Sequence, residues 1–188
     1  MLFAPDTEES LAFVVALANT DASASRSGAD ELATLDQLAA LLVRFTYTGR
    51  IDHDEAELRD VRQARDELRR VWTLDRDDAV VPVNRMLRDA NALPFLTRHG
   101  ALDWHLHATS PEAPLAERIR AEAALALIDV IRMNEMRRLR MCEADDCTGL
   151  LVDLSRNGLK RFCSVRCGNR TNMIAFRERR SGGTQHAP

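Results

Sequence analysis

The stretch that decides the C-terminal fold runs from Cys142 to Cys167 and reads CEADDCTGLLVDLSRNGLKRFCSVRC. All four cysteines of the 188-residue chain lie in it, as two pairs with four and three residues between their members. Four thiolates with such short spacing within each pair are typical of a closed, tetrahedral zinc site. The pattern predicts one structural Zn²⁺, in preference to two disulfides or free thiols, bound by Cys142, Cys147, Cys163 and Cys167.

The residues between and after the two cysteine pairs predict a hairpin and a helix. Leu150-Leu151-Val152 is strand-like, Asn157-Gly158 is a strong turn dipeptide, and residues 160–162 are expected to return as the second strand. A short helix is expected over 168–177. We therefore expect a treble-clef-like zinc finger, in which Gly168 supports the backbone beside the metal and Asn169 caps the helix or binds a ligand sulfur.

Basic residues are concentrated around the same cysteines. Residues 137–180 hold eleven Arg or Lys and five Asp or Glu, whereas the rest of the chain holds 15 basic and 24 acidic residues, so the net charge of −3 conceals an acidic body and a basic end. This asymmetry indicates an anionic partner. The predicted nucleic-acid contacts are Arg161, Arg166, Arg170, Arg177 and Arg180. For Arg170, a structural role in packing or in support of the zinc loop is equally open.

Four motifs together resemble a known family, the CGNR zinc finger: Cys142-x4-Cys147, Asp153-x-Ser155, the string from Lys160 to Ser164, and Cys167-Gly168-Asn169-Arg170. The resemblance implies a bacterial protein in which a helical N-terminal ABATE domain, that of stress-induced transcription regulators, precedes the finger. The helix over 11–20, a hairpin near residue 104 and the long helix before the first cysteine look similar to that domain. Asn172 stands where many members have Lys, which removes one candidate phosphate contact.

Residues 1–136 predict a mainly helical domain. Apolar residues recur at helical spacing over 11–18, 35–45 and 58–72. Asp6 or Thr7 is expected to cap the first helix, and Thr34 with Gln37 has the spacing of a capping box. Asp52 is expected to cap the N-terminus of a third helix.

Proline positions predict the next two helices. Pro82 suits the first turn of a short helix that carries Val83, Met86 and Leu87. From Pro114 to Met141 no further Gly or Pro intervenes, and apolar residues surround 121–131 on all sides. This pattern predicts the central, most buried helix of the domain.

A period of two predicts a small β-hairpin between these helices. Apolar residues at 102, 104, 106 and 108 alternate with polar ones, and His99-Gly100 suits the turn after Phe95-Leu96. We expect the apolar face to be buried and His105 and His107 to lie on the solvated face. A metal or catalytic role for the two histidines is the less favoured alternative.

Composition and motifs then limit the function. No apolar run approaches the ~20 residues of a membrane span. The full cysteine sphere and the lack of a Ser/His/Asp arrangement or a phosphate-binding glycine loop argue against an enzyme. We expect a cytoplasmic DNA-binding transcription regulator with a helical regulatory domain (1–136), a zinc finger (137–181) and a flexible tail (182–188). The first domain would receive a small-molecule or protein signal, or mediate assembly such as a homodimer. The alternative is a zinc-dependent protein-interaction module that does not bind DNA.

Overall fold

The computed structural model describes residues 2–45, 47–98 and 103–182, and within these ranges it contains six α-helices and two two-stranded antiparallel sheets. The helices are α1 (Pro5–Ala18), α2 (Leu35–Arg44), α3 (Glu55–Trp72), α4 (Arg76–Asp89), α5 (Leu115–Arg132) and α6 (Val165–Gly182). The sheets pair β1 (Phe95–Thr97) with β2 (His105–His107) and β3 (Leu139–Met141) with β4 (Leu150–Val152). The mainly helical fold class with small hairpins is confirmed. The predicted turn at His99-Gly100, Leu102 and residues 183–188 of the predicted tail lie outside the described residues. None of the helices in the described ranges combines the length with the apolar composition that a membrane span requires.

The long helix α5 is the centre of the fold, as its sequence predicts. It packs against α1, α3 and α4, and Leu115, Ile119 and Leu127 are fully buried. The helix ends at Arg132 because Asn134 adopts a left-handed conformation with φ of 56°. A 3₁₀ turn then leads into β3, which brings the chain to the first cysteine.

Helix starts follow capping chemistry, although not always at the expected residue. The capping box is confirmed, since Thr34 Oγ1 accepts a hydrogen bond from Gln37 N and Gln37 Oε1 accepts one from Thr34 N. The predicted Asp6 or Thr7 cap is wrong, because Pro5 occupies the first position, where a missing N–H costs nothing. The cap of α3 is Asp54 rather than Asp52, and its carboxylate accepts a 2.8 Å hydrogen bond from Glu57 N.

The proline of α4 lies inside the helix, which corrects the prediction that Pro82 begins one. The helix starts at Arg76, so Pro82 leaves the carbonyl of Asp78 without its helical donor. Asp78 is exposed, and water can satisfy that carbonyl. Burial of Ala79 and Val83 against the core holds the helix through the proline.

The hairpin of β1 and β2 is confirmed, but the predicted orientation of β2 is wrong. His105 is only 6% exposed, whereas Trp104 is 64% and Leu106 44% exposed. The histidine side of the strand faces inward because it meets polar groups there, and His107 Nδ1 lies 3.4 Å from Glu122 Oε1 on α5. The period of two identifies the strand but cannot say which face is covered.

The hydrophobic core continues into the cysteine-bearing region. Leu139 of β3 and Leu150 and Val152 of β4 belong to the same buried cluster as the leucines of α1 and α5. Asn19, at the C-terminus of α1, uses its side-chain amide to pair with both backbone polar groups of Leu150. The β3–β4 hairpin is therefore packed directly on the helical body.

The partner of β4 differs from the prediction. It pairs with Leu139–Met141, before the first cysteine, and residues 160–162 form no strand. The cause is Asp153, which is fully buried and accepts hydrogen bonds from the backbone N–H groups of Ser155 at 3.0 Å and Lys160 at 2.6 Å. These bonds close residues 153–160 into a compact loop. The predicted turn is present in that loop, with Gly158 at φ of 61°.

Candidate metal centre and nucleic-acid interface

The four cysteine side chains meet where the loop between β3 and β4 faces the start of α6. Their Sγ atoms all lie within 4.8 Å of one another, with 3.6 Å between Cys147 and Cys163 and 3.7 Å between Cys163 and Cys167. Four sulfurs placed tetrahedrally about 2.3 Å from Zn²⁺ stand about 3.8 Å apart, whereas a disulfide needs about 2.0 Å. The thiols are free. Donor type and spacing fit one zinc ion with a complete sphere, which confirms the predicted site of Cys142, Cys147, Cys163 and Cys167.

Gly149 shapes the first half of this site, although the cysteine pattern did not predict a role for it. Its carbonyl accepts a 2.7 Å hydrogen bond from Cys142 N, and its N–H donates to Cys147 Sγ at 3.3 Å. A Cβ at this position would lie 2.8 Å from Cys163 Sγ and 3.2 Å from Cys147 Sγ. Only glycine leaves room for the sulfurs. Its position two residues after a cysteine is the signal that could have identified it.

The second half of the site lies at the N-terminus of α6. This helix begins at Val165, earlier than predicted, and Ser164 Oγ accepts a hydrogen bond from Cys167 N at 3.2 Å. Asn169 therefore lies inside the helix, so its predicted capping role is wrong, and within the described residues no hydrogen bond joins it to a ligand sulfur. Gly168 does lie beside the site, where a Cβ would come within 3.3 Å of the Phe162 ring.

The thiols differ in how readily they ionise. Burial raises the pKa of Cys163 well above its usual value and also raises that of Cys147. Burial opposes ionisation of Cys167 as well, but hydrogen bonding with Ser164 and with neighbouring thiols lowers its pKa. The positive end of α6 favours the same thiolate. Zinc binding must therefore displace protons from the Cys147 and Cys163 thiols, which makes it pH-dependent.

Arg170 links the two halves of the metal centre. Its Nη2 donates a 2.5 Å hydrogen bond to Asp146, in the first loop, and lies 3.8 Å from Cys167 Sγ. Of the two roles left open for Arg170, this geometry supports the structural one. A guanidinium beside a thiolate also stabilises its negative charge.

Two further predicted nucleic-acid contacts are also engaged within the chain. Arg161 forms a 2.6 Å ion pair with Glu143 and lies over the Phe162 ring. Arg166 donates a 2.7 Å hydrogen bond to the carbonyl of Arg26, in the loop after α1. Their positive charge remains near the surface. The contacts of Arg161, however, stabilise the finger, and that of Arg166 joins the finger to the helical body.

The other predicted contacts, Arg177 and Arg180, lie together on the last turns of α6, beyond the metal centre. Both are exposed, as is Arg179 between them. The guanidinium of Arg180 lies 5.8 Å from the centre of the Phe176 ring. Arg177, Arg179 and Arg180 thus form an exposed arginine cluster at the C-terminal end of α6.

Comparisons with protein families agree with this architecture. Residues 138–180 match the CGNR zinc finger. Residues 11–134 match the family ABATE, described as "Putative stress-induced transcription regulator". A search of curated proteins finds no match. The two matched segments correspond to the helical body and to the zinc-binding region, in the order that the sequence predicts.

Proposed function

Because the chain belongs to the ABATE family and carries a CGNR zinc finger, we propose that it is a transcription regulator that binds DNA through the finger. The helical domain receives a signal or mediates assembly. The four-cysteine sphere leaves no open position for water or substrate, which supports a structural and non-enzymatic role for the metal. A regulator that needs four reduced cysteines and reaches DNA belongs in the cytoplasm.

The observation that carries the proposal is the exposed arginine cluster on α6. The zinc centre fixes the first turn of this helix, and the helix then extends with Arg177, Arg179 and Arg180 exposed on its last turns. A rigid helix that presents arginines is suited to phosphate contacts along a DNA groove. The nearer arginines on the finger contribute positive electrostatic potential but do not contact the DNA themselves. They are Arg161, Arg166 and Arg170.

A selection of genomic DNA fragments by the zinc-loaded protein at low salt tests the proposal. The double variant Arg177→Ala/Arg180→Ala should bind selected fragments more weakly, and its salt dependence should be shallower by about 0.9 in log–log slope per lost phosphate contact. Arg88→Ala, an exposed arginine at the end of α4, is the matched control. Absence of binding to any fragment at low salt would contradict the proposal.

A second candidate function is a zinc-dependent protein-interaction module, which the apolar side chains of α6 favour. Met173, Ile174 and Phe176 are about half exposed and interleave with the arginines. Pull-down of a stable partner that survives DNase treatment and is lost in Ile174→Ser would favour this function. Light scattering of the same variant reports whether the partner is a second copy of the chain.

A further inference from the structure

A cavity of about 290 Å³ lies in the helical body, and the zinc ligands are not among the residues that line it. Its walls come from α1, α5, the β1–β2 hairpin and the segment after α2. Four phenylalanine and tyrosine rings line it: Phe13, Phe45, Tyr47 and Phe95. Three carboxylates line it too: Asp6, Glu9 and Glu122. At roughly 20–30 Å³ per non-hydrogen atom, the volume suits a ligand of about a dozen such atoms.

Glu122 is held in the cavity wall by a hydrogen-bonded network. Its Oε2 accepts a 2.8 Å hydrogen bond from the Tyr47 hydroxyl, and its Oε1 lies 3.4 Å from His107 Nδ1. The ring of His107 contacts His105 Nε2 at 3.2 Å, and His105 Nδ1 donates to the carbonyl of Asp103. The carboxylate is therefore fixed in position, although its side chain keeps 21% of its surface accessible.

Arg118, whose guanidinium lines the cavity, hydrogen-bonds to backbone carbonyls. Arg118 donates from Nε to the carbonyl of Ala113 and from its two Nη atoms to the carbonyls of Thr48 and Arg50. It also lies over the Tyr47 ring, 5.5 Å from the ring centre. Arg118 thus holds the segment after α2 in place. Among the described lining residues, Arg118 is the one guanidinium or ammonium group, and it stands against three carboxylates.

We propose that this cavity binds a small organic amine, whose ammonium pairs with Glu122 while its apolar body packs among the aromatic rings. A partly buried carboxylate beside aromatic rings is a natural counter-ion of an ammonium group, and aromatic faces attract cations. The amine site would be the place where the helical domain receives its signal. The binding of an amine does not depend on the proposed function; only the idea that binding regulates transcription rests on it.

The ionisation of Glu122 agrees with this ligand class. Burial raises the pKa of its carboxyl, and the nearby Glu9 raises it further. Tyr47, Arg118 and His105 act in the opposite direction. A bound ammonium adds positive charge beside the carboxylate, so binding should lower the pKa of Glu122 and release a fraction of a proton.

Calorimetry on the full-length, zinc-loaded protein with three probes of similar shape tests the proposal: benzylammonium, benzyl alcohol and benzoate. We expect benzylammonium to bind about tenfold or more tightly than either of the others, which corresponds to about 1.4 kcal/mol. Titrations in two buffers with different ionisation enthalpies should show proton release. Equal or tighter binding of benzoate or benzyl alcohol, or no binding of benzylammonium at millimolar concentration, overturns the proposal.

Variants locate the site. Glu122→Gln keeps an acceptor for Tyr47 but removes the charge, and should weaken benzylammonium binding about tenfold. Glu117→Gln changes a carboxylate on the same helix that does not line the cavity, and should bind like the unaltered protein. Glu9→Gln, at an exposed position, gives a second reading of the charge effect if Glu122→Gln does not fold. None of these titrations contains DNA, so their failure is distinguishable from a failure of DNA binding.

Discussion

Asn19 and Leu150 are joined by two hydrogen bonds, as neighbouring strands would be. Asn19 Nδ2 donates to the Leu150 carbonyl at 2.9 Å, and Leu150 N donates to Asn19 Oδ1 at 2.7 Å. The Asn19 side-chain amide thereby forms the pair of hydrogen bonds that a neighbouring strand would form with β4. The amide satisfies backbone groups of the zinc-finger hairpin that are buried against the helical body.

Replacement of Asn19 should therefore weaken the attachment of the hairpin to α1. In Asn19→Ala, both polar groups of the buried Leu150 lose their partners, and we expect the free energy of unfolding to fall by about 1–3 kcal/mol. Urea denaturation measures it. Asn172→Ala, at an exposed position of α6, is the control and should change stability by less than about 0.5 kcal/mol. Equal stability of the two variants would show that the pairing contributes nothing.

Removal of zinc should destabilise the helical body as well as the finger, because Leu150 and Val152 belong to the common core. Trp72 is buried in α3 and reports on that body by its fluorescence. At free zinc about a thousand times above its dissociation constant, the metal stabilises the chain by about 4 kcal/mol. We expect a chelator to lower the midpoint of the Trp72 transition. A midpoint independent of the chelator would mean that the two parts unfold separately.

A methyl group at Gly149 should disrupt the metal centre. The added Cβ would lie 2.8 Å from Cys163 Sγ, so the sulfur or the loop has to move. We expect Gly149→Ala to lose zinc to a competing chromophoric chelator at much lower chelator concentration than the unaltered protein. Gly168→Ala is a graded comparison, since its Cβ would meet the Phe162 ring at 3.3 Å, and should cost less zinc affinity. The reverse order would contradict this account.

Arg170 and Arg177 should separate the metal-supporting role from the DNA-contacting one. Arg170→Ala loses the bond to Asp146 and the charge beside Cys167, and should lower zinc affinity about 10–100-fold. Asp146→Asn should lower it in the same direction. Arg177→Ala should leave zinc affinity unchanged and weaken DNA binding. Normal zinc affinity in both Arg170→Ala and Asp146→Asn would contradict the structural role.

Asp30 should stabilise the fold above pH 4 and lose this effect in acid. The hydrogen bond from Arg65 lowers its pKa from 3.8 to about 2, against the effect of burial. Because the folded pKa is the lower one, the carboxylate stabilises the native state at neutral pH by about 2 kcal/mol, and the effect vanishes as pH falls toward 2. Arg65 is 5% exposed and would keep a buried charge in Asp30→Asn.

The measurement is the difference in unfolding free energy between the unaltered protein and Asp30→Asn. We expect a constant difference from pH 5 to 8 that narrows below pH 4. Zinc loss in acid affects both proteins alike, so the difference reports Asp30. Asp60→Asn, an exposed residue of α3, is the control. A difference that grows in acid would have the wrong sign for this ion pair.

Local chemistry explains why much of the fold could be predicted from the sequence. A capping box such as that of Thr34 and Gln37 needs only residues three apart, and a helix with an apolar stripe needs only its own periodicity. The zinc ligands are equally local, because short spacing brings each pair of cysteines to one ion. These features formed as expected.

Contacts between distant segments decided the rest. Asp153 is buried and binds the backbone at Lys160, so β4 pairs with a strand before the first cysteine instead of one after it. Arg170 meets Asp146 across the metal centre, and that contact gives it a structural role. Residue spacing contains no information on either contact, since each depends on which backbone groups the fold buries.

The sequence by itself determined the helical body, the zinc ligands and their family, because spacing and periodicity act over a few residues. Only the tertiary structure placed His107 and Tyr47 beside Glu122, and so made a cavity from four separate segments. It also made one core of the helices and the zinc hairpin. The physical reason is that burial is a property of the assembled fold. A strand with alternating residues can bury either face, and the elements that pack against it determine which face is covered.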